Sequence, residues 1–446
     1  MKKLSMIMLV FSFSFPSGAQ TVSDKLHQYF EAAQKAGTFN GSVLVAQKEN
    51  ILINKGYGHK EIETKKLNDS NTVYQIGSIT KQFTSTVILK LAEQGKLALS
   101  DKLSKYFPDF SYSSKITLEQ LLTHTSGIFN FTNDTAFMAN GWYNVVDKEK
   151  VFAVFKNRPL DFEPGTKYNY SNSGYYLLGA IIEKVTGKKY ELVVRDMIFK
   201  PLNMTHSGFD FIALKSPDKA TGYYLISEEL NSKARLVDST VSFAAGAIYS
   251  TTEDLYKWNQ SLLSAKILNA RTLENAFTPR LSKYGLGYII DTVLKKQIVS
   301  HNGGVDGFIS HSTVIPTEGT QVIIFCNNMS TPLNNVIRAV FAILYNQPYE
   351  MPELKQSVNI DTVVLRQYVG EYELTPAIKI TVTLVDGRLK AQVTGQAAYD
   401  IFASKENLFF YKIVDAQLEF LKNEKGDIEK LILHQNGQHM PAKKVK

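Results

Sequence analysis

The sequence is almost without cysteine: Cys326 is the only one in 446 residues. A lone cysteine closes no internal disulfide, so no disulfide framework holds this chain. A four-cysteine zinc site falls with it. Long apolar runs are missing as well. The most apolar stretch, Leu4 to Phe15, is broken by serines and falls short of the roughly 20 residues a membrane-crossing helix needs. Charge is not concentrated on one sign, because 50 Lys and Arg face 42 Asp and Glu for a net +8. No dense basic stripe with interleaved aromatics appears, which argues against a nucleic-acid partner. Two enzyme signatures are also absent. Without a G-x-S-x-G elbow there is no α/β-hydrolase nucleophile, and without a G-x-x-x-x-G-K-S/T loop there is no P-loop nucleotide site. His301 and His311 stand ten apart with no acidic residue at ligand spacing, so no metal centre is expected. There is no internal repeat and no low-complexity tract.

What is present describes a folded, multidomain chain. Hydrophobic residues make up 44% and charged residues 21%, an ordinary globular balance that excludes wholesale disorder. At about 150 residues per domain the length predicts two to three domains. Residues 1–19 read as a signal peptide. Met1-Lys2-Lys3 is a basic head, Leu4 to Phe15 the apolar core, and Ser17-Gly18-Ala19 the small-residue exit. Export to the periplasm or the medium follows, with no membrane span after cleavage. No cysteine follows the apolar core, so no lipid anchor on an N-terminal cysteine is expected.

Helix and strand patterns then alternate. Ser23 to Ala36 is amphipathic, with Leu26, Phe30 and Ala33 on one face and Gly37 as a stop. Ser42–Ala46 and Ile51–Asn54 read as paired strands. Ser78 to Gln94 is the clearest helix, with Phe83, Val87, Ile88 and Leu91 as its stripe. Further helices are expected at Thr117–Leu122, Lys148–Phe155, Gly174–Val185, Glu191–Phe199, Glu253–Leu263 and Val336–Tyr345. Gly307 to Asn327 is strand-rich. Strands at both ends with helices between predict an α/β (α+β) domain, an antiparallel sheet flanked by helices, over residues 20–346. Residues 347–362, with two prolines, read as a linker. Residues 363–446 show short period-two strands, including a hairpin turning at Asp386-Gly387, and predict a small antiparallel β barrel or sandwich.

Three short motifs carry the chemistry. Ser78-Ile79-Thr80-Lys81 stands where a loop enters the long helix, and residues three apart share a helix face. A serine hydroxyl becomes a nucleophile when a partly desolvated lysine takes its proton. The competing reading is a capping serine beside a solvated lysine. Tyr170-Ser171-Asn172 precedes a helix. Its tyrosine can act as acid or base if neighbouring cations lower its pKa, and Asn172 can position a lysine or a substrate amide. A polar turn capping the next helix fits equally well. His301-Asn302-Gly303-Gly304 ends the strand Gln297–Ser300. Glycines there let a substrate backbone approach, and His301 can offer a hydrogen bond to a substrate carboxylate, or be only a turn residue.

Taken in order, these motifs resemble the serine β-lactamase and penicillin-binding protein superfamily, in its class C-like branch with D-alanyl-D-alanine carboxypeptidases, D-aminopeptidases and esterases. The pattern S-x-x-K, Y-x-N, then K-T-G or H-x-G reads here as Ser78–Lys81, Tyr170–Asn172 and His301–Gly303. His124-Thr125-Ser126-Gly127, Glu163-Pro164-Gly165, Ala245-Gly246 and Tyr284-Gly285-Leu286-Gly287-Tyr288 also look like the family. The C-terminal segment resembles the lipocalin-like barrel appended to such hydrolases. The resemblance implies a serine hydrolase using a covalent acyl-Ser78, with Lys81 and Tyr170 sharing proton transfer. It implies an oxyanion hole from the Ser78 and Gly304 N–H groups, Asn172, His301, Gly303 and Gly304 at the substrate, and no metal or cofactor. Its substrate would be a small peptide, β-lactam or ester, peptidoglycan-derived material included. One departure narrows this. His301 stands where many relatives have lysine, which weakens the anchor for a substrate carboxylate and favours a D-amino-acid peptidase or esterase with slow penicillin deacylation. A β-lactamase, and a sensor that acylates without turnover, stay as alternatives.

Overall fold

The computed structural model describes residues 20–226, 231–354, 356–412, 414, 416–435 and 438–446. The expected signal over 1–19 lies outside them, as do residue 355 of the expected linker and residue 413 of the strand expected over 408–414.

The first domain is built on a six-stranded antiparallel sheet. Its order is Asn50–Tyr57, Gly41–Gln47, Thr320–Cys326, Phe308–Ile315, Lys296–Val305 and Ile289–Val293. The N-terminal hairpin thus pairs with the last strand of the domain, closing the two ends of its chain together. Central strands buried on both faces are mostly apolar, and Thr320–Cys326 is buried at every position, with Val322 to Cys326 its apolar run. Its side chains alternate between two cores. Val322 and Ile324 face the helices Val22–Lys35 and Leu333–Leu344, whereas Ile323 and Phe325 face the larger helical layer. Each such side chain taken fully out of water contributes about 1.5–3 kcal/mol.

The helix Thr80–Glu93 runs through the larger core, preceded by a single 3-10 turn at Gly77–Ile79 that carries Ser78. Its apolar stripe was legible, yet the helix is buried nearly all round. Its polar face is satisfied by neighbours rather than by water. Thr84 Oγ1 donates to Ala244 O (2.6 Å), Ser85 Oγ to Leu286 O (2.5 Å), and Trp258 Nε1 to Gln82 Oε1 (3.0 Å). Burying a polar group is tolerated when it is bonded in this way. The helices flanking the site carry their own stops and starts. Thr117 and Gln120 form a capping box before Leu118–Leu122, and Gly187 ends Asn172–Thr186 in the left-handed conformation.

One expected boundary is corrected. The strand expected to end at Ser300 continues to Val305, so the His301-Asn302-Gly303-Gly304 motif lies inside it. Pairing with the next strand persists from Val299↔Val314 to Val305↔Phe308, and the chain reverses only at Asp306-Gly307, where Gly307 has φ +86°. On the opposite side, pairing with Ile289–Val293 stops at Ser300↔Ile289. Residues 301–305 therefore present an edge with no strand beside it.

The C-terminal unit is a closed barrel of eight strands in sequential order, from Gly370–Thr375 to Gln438–Lys444, the last sealing onto the first through Tyr372↔Lys444. Its interior is filled by its own core, including Tyr372, Ile380, Leu389, Phe409, Leu418 and Leu431. Leu365 and Tyr368, from the short helical segment before the first strand, also belong to that core. Among the described residues no helix is long and apolar enough to cross a membrane.

Candidate active site

Ser78 sits on the 3-10 turn because Gly77 allows it. Gly77 has φ +50°, and a Cβ there would lie 2.7 Å from the Gly304 nitrogen. A Cβ on Gly303 would come within 2.0 Å of Ile76 O. Two glycines, Gly77 and Gly303, thus let the serine turn and the strand backbone touch without intervening side chains. Gly304 is different: a Cβ there meets nothing within 4 Å, because it faces open space. The Ser78 hydroxyl is partly exposed in a cleft lined by Phe131, Thr132, Trp142, Gly304 and Val305.

Lys81 is fully buried beneath it. Its Nζ lies 3.1 Å from Ser78 Oγ, 2.8 Å from Asn172 Oδ1 and 2.7 Å from Ala245 O. Burial pushes its pKa well below the usual lysine value. A neutral amine has two N–H groups and one lone pair. Asn172 Oδ1 and Ala245 O can only accept, so they take both N–H groups and leave the lone pair for the Ser78 O–H.

Asn172 is itself fixed. Its backbone N–H donates to Asn130 Oδ1 (3.0 Å) and its Nδ2 to Thr132 Oγ1 (3.2 Å). Asn172 Oδ1 accepts from Lys81 Nζ (2.8 Å). Tyr170 reaches Ser78 with its phenol, and its ring centre lies 4.8 Å from Lys81 Nζ. No neighbouring cation lowers its pKa. Burial raises it and outweighs the hydrogen bond to Ser78, so the phenol stays protonated.

His301 lies beneath the surface rather than facing solvent. Its Nδ1 donates to Asn302 O (2.6 Å), which leaves Nε2 to accept from Tyr284 O–H (2.9 Å). Burial, helped by the nearby Lys81, lowers its pKa to about 3. Both ring nitrogens are committed and the ring is neutral.

Several residues of the site were not singled out from the sequence. His124 is buried, accepts the Ser171 N–H at Nδ1 (3.1 Å) and packs its ring 4.2 Å from that of Tyr170. Tyr284, Asn130, Thr132 and the Ala245 carbonyl are the others. The segments His124–Gly127, Ala245-Gly246 and Tyr284–Tyr288 flagged three of these neighbourhoods without assigning them work. Asn130 and Thr132 lie at a short 3-10 turn, Phe131–Asn133, with no signal of its own. Among the described residues, no three His, Cys, Asp or Glu side chains converge as metal ligands.

Known proteins are similar to this chain. The Beta-lactamase family model matches residues 26–347, and a model for a domain of unknown function matches 354–444. A penicillin-binding protein of Bacillus subtilis (strain 168) is 30% identical over 94% of this chain and 98% of its own. Among solved structures, the octameric penicillin-binding protein homologue from Pyrococcus abyssi superposes with a TM-score of 0.65 at 25% identity, covering 94% of this chain and 99% of that one. A D-stereospecific amidohydrolase from Streptomyces sp. gives a TM-score of 0.62 at 28% identity over 71% of this chain and 98% of its own.

Proposed function

The chain belongs to the β-lactamase family of serine hydrolases, and from that membership we propose that it is an exported enzyme that cleaves amide or ester bonds through an acyl-Ser78 intermediate, with a D-amino-acid peptidase or esterase activity. The observation that carries this reading is the environment of Lys81. Asn172 Oδ1 and Ala245 O accept from its Nζ, which lies 3.1 Å from Ser78 Oγ, so that in the neutral amine the lone pair is left to Ser78. Ser78 Oγ attacks the carbonyl carbon while its proton passes to Lys81 Nζ. The Ser78 and Gly304 N–H groups receive the developing oxyanion, at about 3–4 kcal/mol per donor. The Tyr170 phenol, protonated at rest, gives its proton to the leaving nitrogen or oxygen and regains one from Lys81. Water then attacks the acyl ester by the reverse relay.

The site favours amides and esters over β-lactam turnover. Where a lysine would offer a charge to a substrate carboxylate, His301 is neutral, buried and bonded at both nitrogens. The likeness to a D-stereospecific amidohydrolase supports the same direction. Hydrolysis of p-nitrophenyl acetate and of D-amino-acid p-nitroanilides by wild type and Ser78→Ala tests the reading. The expected loss is at least about a thousandfold, and equal rates in the two proteins refute it.

A further inference from the structure

A second cluster of titratable side chains lies on the C-terminal barrel, across the strands Ala416–Lys422, Ile428–Gln435 and Gln438–Lys444. Successive side chains of a strand point to opposite faces. Leu418, Phe420, Leu431, Leu433 and Ala442 belong to the barrel's core, so Glu419, His434 and His439 stand on its outer wall. His434 and His439 are directly opposite each other in the pairing of the last two strands. Glu419 comes from the strand on the other side of His434.

The three side chains form a row. Glu419 Oε2 lies 3.1 Å from His434 Nε2, and His434 Nδ1 lies 2.6 Å from His439 Nδ1. An ionised carboxylate can only accept, so His434 Nε2 carries the hydrogen. In the neutral ring, Nδ1 is then the bare nitrogen, and it faces His439. Two bare nitrogens repel at that distance, so a positive centre joins them. It is either a hydrogen on His439 Nδ1 or a metal ion that takes both nitrogens.

The row matches a metal site in its second layer as well as its first. Metal-binding histidines give their other ring nitrogen to a carboxylate, which fixes the tautomer and makes the ligating nitrogen more basic. Glu419 stands in that place behind His434. Imidazole suits Zn²⁺, Ni²⁺ and Cu²⁺. Bonds of about 2.0–2.1 Å place two neighbouring ligand nitrogens about 2.8–3.3 Å apart, from square-planar to tetrahedral angles. The pair must therefore open by less than about 1 Å, which a small rotation of the exposed His439 ring supplies. Lys430 and Lys443 share this wall four positions along their strands. That is about 13 Å away, beyond the roughly 8 Å over which salt leaves charges visible to each other.

We propose that His434 Nδ1 and His439 Nδ1 bind one divalent transition-metal ion of the Zn²⁺, Ni²⁺ or Cu²⁺ kind on the outer wall of the barrel, with Glu419 positioning His434. Structural zinc sites are closed by four protein ligands. This one supplies two and leaves the other positions to water, so the ion exchanges with the medium and does not hold the fold.

The test is calorimetric titration of the full-length protein, without a polyhistidine tag, with ZnCl₂ and separately with CuCl₂. Wild type takes up one ion per chain, and His434→Ala and His439→Ala lose it. Glu419→Ala weakens binding by about 10- to 100-fold, and Glu419→Gln, which keeps an acceptor for Nε2–H, weakens it less. Electron paramagnetic resonance of the Cu²⁺ complex needs no variant and shows coupling to two imidazole nitrogens. No uptake by wild type means that a hydrogen alone joins the two rings and overturns the proposal. Uptake undiminished in both histidine variants, or a Cu²⁺ spectrum without that coupling, overturns it as well.

Discussion

Replacing Asn172 by aspartate changes almost nothing but charge at the place where the account is most exposed. The two side chains have the same shape. Thr132 Oγ1, which now accepts from Asn172 Nδ2, is a hydroxyl and can donate to a carboxylate instead. The oxygen facing Lys81 Nζ at 2.8 Å would then carry negative charge. At an effective dielectric of about 20 that contact is worth about 6 kcal/mol, or up to about 4 pKa units in favour of the protonated lysine. A protonated lysine has no lone pair for Ser78. A base with a raised pKa needs a higher pH to work, so the acid limb of kcat/KM moves to alkaline pH. Activity falls about tenfold for each pH unit below the new limb and returns as pH rises. Hydrolysis of p-nitrophenyl acetate from neutral to alkaline pH, with Ser78→Ala as the background, measures it. A limb that stays in place while the rate falls equally at every pH refutes Lys81 as the base, as does a variant with wild-type activity at neutral pH.

The two strand glycines separate packing from catalysis. Gly303→Ala would drive a Cβ to 2.0 Å from Ile76 O, so it should cost about 1–3 kcal/mol, read as a lowered thermal midpoint. Gly304→Ala faces open space, so it should melt like wild type but lose kcat/KM where substrate lies along the strand edge. Equal melting of Gly303→Ala and wild type would contradict this. The buried histidines set an acid limit to stability. His301 and His311 have pKa values lowered to about 3 by burial. Below about pH 6.5 the unfolded chain binds protons that the folded one does not, so stability is lost as pH falls from about 6.5 toward 3. The slope is about 1.4 kcal/mol per pH unit per histidine. Urea midpoints that stay flat between about pH 6.5 and 5 would contradict it.

Much of this site was readable in one dimension because its chemistry is local. Ser78 and Lys81 are three residues apart, and a helix start is enough to bring them together. Tyr170 and Asn172 flank a helix start in the same way. What escaped depends on contacts far apart in the chain. Ala245 contributes only a carbonyl, so Ala245-Gly246 pointed to a neighbourhood and not to a role, and Asn130, bonded to another residue's backbone, leaves no pattern. The continuation of the strand through Gly303 and Gly304 was hidden because glycine lowers strand propensity. Close backbone approach to Ile76 and Gly77 requires it there. In the barrel, the strand Gln438–Lys444 carries Pro441 and three lysine or histidine side chains, and only Ala442 is buried. It forms because both neighbours pair with it, through Leu431↔Ala442 and Tyr372↔Lys444.

A covalent ester on Ser78 is read directly by intact-protein mass spectrometry after brief exposure to penicillin. The expected result is a mass increase of one penicillin that persists for many turnovers' worth of time, maps to the peptide containing Ser78 and is absent from Ser78→Ala. A label on any other residue, or one undiminished in Ser78→Ala, would contradict it.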